Sequence, residues 1–261
     1  MLQQILLSLR PRQWVKNLFV LPALIFSKHT FDWSYAGTAL AGVACFVLAS
    51  SAIYLFNDIL DREFDRRHPT KSQRPLAAGK LSVSSAATFS VILAIAGNAW
   101  GWYLNVEFGA VVLLYTFVNA LYSWKLQHVV LLDVLIVASG FLLRALGGGL
   151  IIEVYISTWF ILCSFTLALF LAVTKRRQEL KGQCAASSRS ILAEYSAPFL
   201  DQTISILTSA TLVCYAMYAM GVGEGMQASR QMQWTIPFVL YGILRYLYLV
   251  YFTDASDVSA I

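Results

Sequence analysis

The chain has 261 residues, 58% of them hydrophobic and 13% charged, with a net charge of +5. Its mean hydropathy of +0.65 is too apolar for a soluble globular domain and indicates a polytopic membrane protein. Long unbroken apolar runs, where barrel strands would alternate, exclude a transmembrane barrel and predict an all-α helix bundle.

The N-terminal pattern Leu2, Ile5, Leu6, Leu9 reads as a short interfacial helix ending before Pro11, and no cleavable signal peptide is expected. Eight segments of spanning length follow, at roughly 14–31, 35–57, 83–104, 108–124, 129–152, 156–174, 201–221 and 235–252. The first is short and contains Pro22. Basic residues gather on one side of these spans. Arg10, Arg12 and Lys16 stand at the start of the first. Arg62, Arg66, Arg67, Lys71, Arg74 and Lys80 lie between the second and third, and Lys125 between the fourth and fifth. Lys175, Arg176, Arg177, Lys181 and Arg189 lie between the sixth and seventh, whereas the opposite loops offer Lys28 and Arg230. The positive-inside rule therefore places the N-terminus and the even-numbered connections in the cytoplasm. Topology and phosphate binding account for the basic charge, so nucleic acid is not expected as a partner. Cys45, Cys163 and Cys214 fall in apolar spans and Cys184 in a loop, without zinc spacing, so neither a disulfide nor a structural metal is expected.

The densest chemical signal runs from Asn57 to Pro75, N-D-I-L-D-R-E-F-D-R-R-H-P-T-K-S-Q-R-P. The spacing of Asp58, Asp61 and Asp65 puts three carboxylates on one helix face. Such a cluster at a membrane edge needs a counter-charge. Carboxylate oxygens suit Mg²⁺, which takes its remaining ligands from water and substrate phosphates. Arg66, Arg67, His68, Lys71 and Arg74 follow directly. Acids for a metal and bases for phosphate oxygens together describe a site for a metal-bound diphosphate. A second charged run, Thr174 to Leu180, extends the sixth span in the same way four spans later, which suggests two related halves facing a common cavity. Arg144 and Arg245 lie deep within spans, where a charge is costly and usually lines a polar cavity. Arg144 is expected to pair with Asp133 or with backbone carbonyls.

The pattern N-D-x-x-D-x-x-x-D at the end of the second span resembles the first acidic motif of the UbiA superfamily of intramembrane prenyltransferases. The extended form, Asn57 to Asp65 followed by Arg66, His68-Pro69-Thr70-Lys71 and Arg74-Pro75, resembles its decaprenyl-phosphate phosphoribosyltransferase branch. So do the run Arg10 to Asn17, the pair Tyr122 and Lys125, and the run Lys175 to Leu180. The resemblance covers nearly the whole chain. It implies one integral domain over 1–261 and a bundle of nine helices around a central cavity open to lipid. Eight spans are present and the chain ends in the polar tail Thr253 to Ser259, so the last helix of the family is expected to be missing.

The implied activity is Mg²⁺-dependent transfer of 5-phosphoribose from phosphoribosyl pyrophosphate to a polyprenyl phosphate, releasing pyrophosphate. The product would feed arabinose donors for cell-envelope glycans, at a bacterial cytoplasmic membrane with the active site facing the cytoplasm. Many prenyl-transferring relatives carry a second aspartate-rich motif after the sixth span. Lys175, Arg176, Arg177 and Glu179 stand there instead, which favours a donor with an additional phosphate. In this reading Asp58, Asp61 and Asp65 hold Mg²⁺ on the donor diphosphate and Asn57 orients it. Lys16, Lys125, Lys175 and Arg176 clamp phosphates, and Arg66, Lys71, Arg74, Tyr122 and Glu179 complete the substrate-binding set. Simpler readings stand beside these. Lys125 and Lys175 to Arg177 also fit as topological anchors, Arg10 and Arg12 read as membrane-surface anchors, and His68 reads as a loop-shaping residue. Two alternative functions stay open: prenyl transfer from a prenyl diphosphate to an aromatic or lipid acceptor, and ion or lipid binding or transport without chemistry.

Overall fold

A computed structural model describes residues 2–27, 29–181, 190–222 and 232–252. Lys28, Cys184, Arg189, Arg230 and the Thr253 to Ser259 tail lie outside the described residues. Within the described residues ten α-helices run in the order α1 Leu2–Ser8, α2 Pro22–Ile25, α3 Trp33–Leu60, α4 Arg62–Arg67, α5 Val83–Leu104, α6 Val106–Trp124, α7 Leu132–Ile151, α8 Thr158–Lys181, α9 Ala197–Met220 and α10 Ile236–Phe252. Among the described residues seven helical segments, the last running Met232–Phe252, are long and apolar enough to cross a membrane, and the chain is a multi-pass membrane protein. Side-chain caps set where several of these begin. Asp32 accepts from Ser34 N at 2.9 Å, Ser82 from Ser85 N at 3.1 Å, and Asn105 from Phe108 N at 3.0 Å. Gly221, at φ 65°, closes α9 in the left-handed conformation that glycine adopts without strain.

The segment expected as a first span, 14–31, takes a different form. Pro11–Val20 is a 3₁₀ helix, and α2 after it has four residues. Pro22 lacks an N–H and so removes one hydrogen bond from the helical ladder, although Leu21 before it keeps helical φ and ψ of −74° and −24°. Specific partners favour the three-residue turn. Residues three apart eclipse on a 3₁₀ helix, so Trp14, Asn17 and Val20 form one stripe. Trp14 Nε1 donates to Ser51 Oγ at 3.2 Å and Asn17 Nδ2 to Ser50 Oγ at 3.2 Å. The Val20 carbonyl oxygen lies so near Gly148 that a Cβ there would come within 2.0 Å of it.

The described residues divide into two compact units. The first comprises Met1–Gln127 with Leu143–Tyr155, the second His128–Leu142 with Ile156–Ile261. In the first, Phe46 packs edge-on against Phe108 and Tyr115, with ring centroids 5.8 and 5.3 Å apart, among Val20, Leu24, Val112 and Ile151. Arg144 is buried in this unit. Its Nε donates to Asn17 Oδ1 and its Nη2 to Tyr115 Oη, each at 2.8 Å, and its guanidinium lies over the Tyr115 ring. The expected pairing with Asp133 does not occur. Eleven positions along one helix separate the two by about 16 Å, beyond the reach of an ion pair.

In the second unit Val134, Phe170, Val173, Ile191, Leu200 and Ile243 form the core. Asp133, fully buried, accepts from Arg176 Nε at 2.8 Å and from Tyr195 Oη at 2.6 Å. The same phenol oxygen accepts from Leu131 N at 2.8 Å. Leu131 sits at φ 67°, an unfavourable conformation for a branched side chain, and this bond helps to hold it there. Burial, then the bond to Asp133, pushes the Tyr195 phenol up to about 12.

Two outcomes follow from this packing. Gly148→Ala should cost about 1–3 kcal/mol of stability, because backbone and not a flexible side chain is in the way. Gly37→Ala, where a new Cβ meets nothing within 4 Å, should be neutral or stabilising by up to about 1 kcal/mol. Unfolding midpoints in detergent micelles distinguish the two. For Tyr195, the folded chain keeps a proton that the unfolded chain releases near pH 10. Its stabilisation should therefore be complete below pH 10 and fade between pH 10 and about 12. A pH series of unfolding midpoints should show this fade in the wild type and not in Tyr195→Phe.

Candidate functional site

Helix α3 has 28 residues and is about 42 Å long, more than the roughly 30 Å apolar core of a bilayer. Its last turn can therefore stand outside hydrocarbon, and that turn carries Asn57 and Asp58. Regular α geometry is interrupted at Asp61, whose φ and ψ of −86° and 3° fall in the bridge region. Helical hydrogen bonds nevertheless cross the break, from Asp61 N to Asn57 O at 2.9 Å and from Asp65 N to Asp61 O at 2.8 Å. The three aspartates consequently do not converge as a uniform helical face would place them.

Asp58 and Asp65 come together, at 2% and 1% exposure. Arg74 Nη1 donates to Asp58 Oδ1 at 3.2 Å and to Asp65 Oδ2 at 2.6 Å. Arg10 Nη2 also donates to Asp58 Oδ1, and its guanidinium lies 5.1 Å from the centre of the Tyr54 ring, one turn earlier on α3. Two buried carboxylates thus face two guanidiniums, the balance that burial of charge demands. Among the described residues Asp65 Oδ1 is a fully buried carboxylate oxygen without a hydrogen-bond partner. An orphaned carboxylate oxygen costs on the order of 1–3 kcal/mol and calls for an explanation. Asp61 goes elsewhere, accepting from Asn57 Nδ2 at 2.8 Å.

The connection after α4 carries Arg74 back to the acids. Leu76 and Leu81 are buried with Ile5, Leu55 and Ala86, which anchors the chain on both sides of the turn at Gly79. Lys80 N and Leu81 N both bond Pro75 O, at 2.9 and 3.2 Å. His68 shapes the approach. Its Nδ1 accepts from Thr70 N at 3.3 Å and Lys71 N at 3.4 Å and lies 3.2 Å from Thr70 Oγ1. Desolvation, and then the nearby Lys71 charge, hold the His68 imidazole below its ordinary pKa. Arg66 Nη1 pairs with Glu63 at 3.0 Å while its Nε donates to Ala77 O at 3.3 Å. Lys71 Nζ stands over the Phe64 ring at 5.6 Å. Elsewhere in the first unit, Lys16 is exposed on the 3₁₀ helix, Lys125 is exposed at the end of α6, and Tyr122 is half-buried on its last turn. In the second unit Lys175 is exposed, and Arg176 bonds Glu179 at 2.5 Å as well as Asp133.

Among the described residues, no three acidic, histidine or cysteine side chains are already gathered closely enough to hold a metal ion. The Asp58 and Asp65 pair nevertheless fits Mg²⁺ chemically. It offers hard oxygen donors, one of them bare, and Mg²⁺ commonly uses one or two carboxylates with water and substrate phosphates. The residue that sequence reasoning missed is Arg10. The need for a counter-charge was visible, but its source lies 48 positions upstream of Asp58.

The model of the UbiA prenyltransferase family matches residues 17–260. A decaprenyl-phosphate phosphoribosyltransferase of Mycolicibacterium smegmatis is 38% identical over 218 residues, covering 81% of this chain and 69% of the relative. The protein of that name from Mycobacterium tuberculosis is 33% identical over 246 residues, covering 92% and 80%. A solved UbiA homologue from Archaeoglobus fulgidus, bound to DMAPP and Mg²⁺, shares the fold with a TM-score of 0.79 at 17% identity, covering 94% of this chain and 86% of that one. By the extent of these matches, the chain belongs to the UbiA prenyltransferase family.

Proposed function

We propose that this chain transfers 5-phosphoribose from phosphoribosyl pyrophosphate to a decaprenyl-type polyprenyl phosphate. The carrying observation is the buried Asp58 and Asp65 pair, bridged by Arg74, with one carboxylate oxygen bare. The names of the 33–38% identical relatives supply the substrates. Asp58 and Asp65 would hold Mg²⁺, with Asp61 available at the break in the helix. A bound divalent cation supplies charge neutralisation at the departing pyrophosphate.

The remaining steps belong to the chain's own residues and the substrates. An oxygen of the polyprenyl phosphate forms a bond to ribose C1 as the C1–O bond to pyrophosphate breaks. The transition state has oxocarbenium character, as in other glycosyl chemistry. The acceptor is already an anion, so no strong general base is needed. Arg74 holds the two carboxylates in place, and Asn57 orients Asp61. Lys16, Lys71 and Lys125 are assigned to phosphate oxygens as mobile point charges. Lys175 is assigned the same role in the second unit, whereas Arg176 chiefly secures Asp133 and Glu179. The excess of Lys and Arg in the even-numbered connections supports a site at the cytoplasmic face of a bacterial inner membrane. The product has the chemistry of a precursor for cell-envelope arabinan.

Purified protein should release pyrophosphate from phosphoribosyl pyrophosphate when polyprenyl phosphate and Mg²⁺ are both present, and EDTA should stop it. Asp58→Asn and Asp65→Asn should each lower turnover on the order of a hundredfold to a thousandfold with membrane insertion unchanged. Near-normal rates in either variant would refute the metal assignment. Pyrophosphate release that instead requires a prenyl diphosphate and an aromatic acceptor would replace the donor.

A further inference from the structure

We infer that Arg10 is an exchangeable counter-charge. It neutralises Asp58 in the metal-free protein and moves onto the phosphate oxygens of the donor when a divalent cation takes its place. This rests on the donor reading proposed above.

Three features of the first unit carry the inference. The first is an uneven distribution of hydrogen bonds. Asp58 Oδ1 receives two guanidiniums, from Arg10 and Arg74, while Asp65 Oδ1 receives none. A resting site built only for stability would share the donors. Crowding on one carboxylate oxygen, beside a buried one that receives no protein donor, suits a site that takes a further cation.

The second is the unequal tethering of the two arginines. Arg74 spans two acids and lies in a folded turn, with Arg74 N bonded to Lys71 O at 3.0 Å and Ala78 N to Arg74 O at 2.8 Å. Arg10 meets a single acid. It sits between α1 and the 3₁₀ helix at φ 54° and ψ 63°, a left-handed conformation costly for a residue with a Cβ. Such local strain clusters at functional positions. Its guanidinium also rests on the face of Tyr54, a cation–π contact that lacks the fixed geometry of a bidentate pair.

The third is the sum of charges. Asp58 and Asp65 contribute −2, and Arg10 and Arg74 contribute +2. A divalent cation added alone would leave the cluster at +2, and like charges at this range repel strongly. A diphosphate that arrives with the cation restores the balance and offers Arg10 a new anionic partner. Arg10 therefore opposes metal binding without donor and favours donor binding with metal. The two ligands become coupled, and the coupling must be reciprocal.

The test uses the full chain in lipid nanodiscs, with Mn²⁺ as the metal probe followed by electron paramagnetic resonance. The double variant Asp58→Asn/Asp65→Asn sets the background. Arg10→Gln keeps a hydrogen-bond donor near Asp58 and removes the charge. It should bind Mn²⁺ alone on the order of tenfold more tightly than the wild type. With Mn²⁺ saturating, it should bind phosphoribosyl pyrophosphate on the order of tenfold more weakly. Arg10→Lys, which keeps the charge, should remain near the wild type for Mn²⁺ alone. A purely structural role predicts weaker Mn²⁺ binding in the Gln form, and equal or weaker binding there overturns the inference. A tightened Mn²⁺ site in a protein whose wild type never binds phosphoribosyl pyrophosphate upholds Arg10 as the counter-charge and removes the donor reading instead.

Discussion

Burying Asp58 beside Asp65 obliges the chain to bring positive charge to one point from two directions. Arg74 arrives from the connection after α4, anchored by Leu76 and Leu81, and Arg10 from the N-terminal junction. A buried charge left without any partner is costly, and two guanidiniums on Asp58 mean that Arg74 still compensates it when Arg10 is away. The local architecture of the first unit follows from this requirement. The turn at Gly79, the packing of α1 residue Ile5 against Leu55, and the left-handed backbone at Arg10 all serve to place guanidiniums on carboxylates.

Charge inside the apolar helices is accommodated in two other ways. Arg144 is surrounded by neutral acceptors and aromatic faces, from Asn17, Tyr115 and Phe46. Asp133 is matched by a full cation, Arg176, and by a phenol that is itself held by a backbone N–H. Either arrangement fixes several elements at once. The first ties the 3₁₀ helix and α6 to one part of α7, and the second ties α8 and the approach to α9 to another.

The long helices were legible because their signal is bulk hydropathy, which does not depend on distant partners. The segments read at 83–104 and 235–252 lie within a residue of the observed α5 and α10. The charged run after Thr174 does extend its helix, to Lys181. The segment at 14–31 was not legible as a 3₁₀ helix. Its form is favoured by Ser50, Ser51 and Gly148, none of which is local in sequence. At the site, the composition announced acids in need of cations but not which cations. The motif spacing assumed an unbroken helix, and the interruption at Asp61 separates one acid from the other two. Arg144 misled for a related reason, since two opposite charges on one helix invite pairing unless the rise between them is counted.

The 3₁₀ stretch also behaves as a screw cut with a threefold thread. Trp14, Asn17 and Val20 meet their partners because each is one full turn beyond the last. Loss or gain of one residue there would rotate everything on one side of it by about 120° and aim the downstream contacts at lipid. A change of three would restore the facing and translate it by about 6 Å. Length in this stretch is therefore fixed twice over: a change of one or two residues misdirects the stripe, and a change of three keeps its bearing but carries Arg10 out of reach of Asp58.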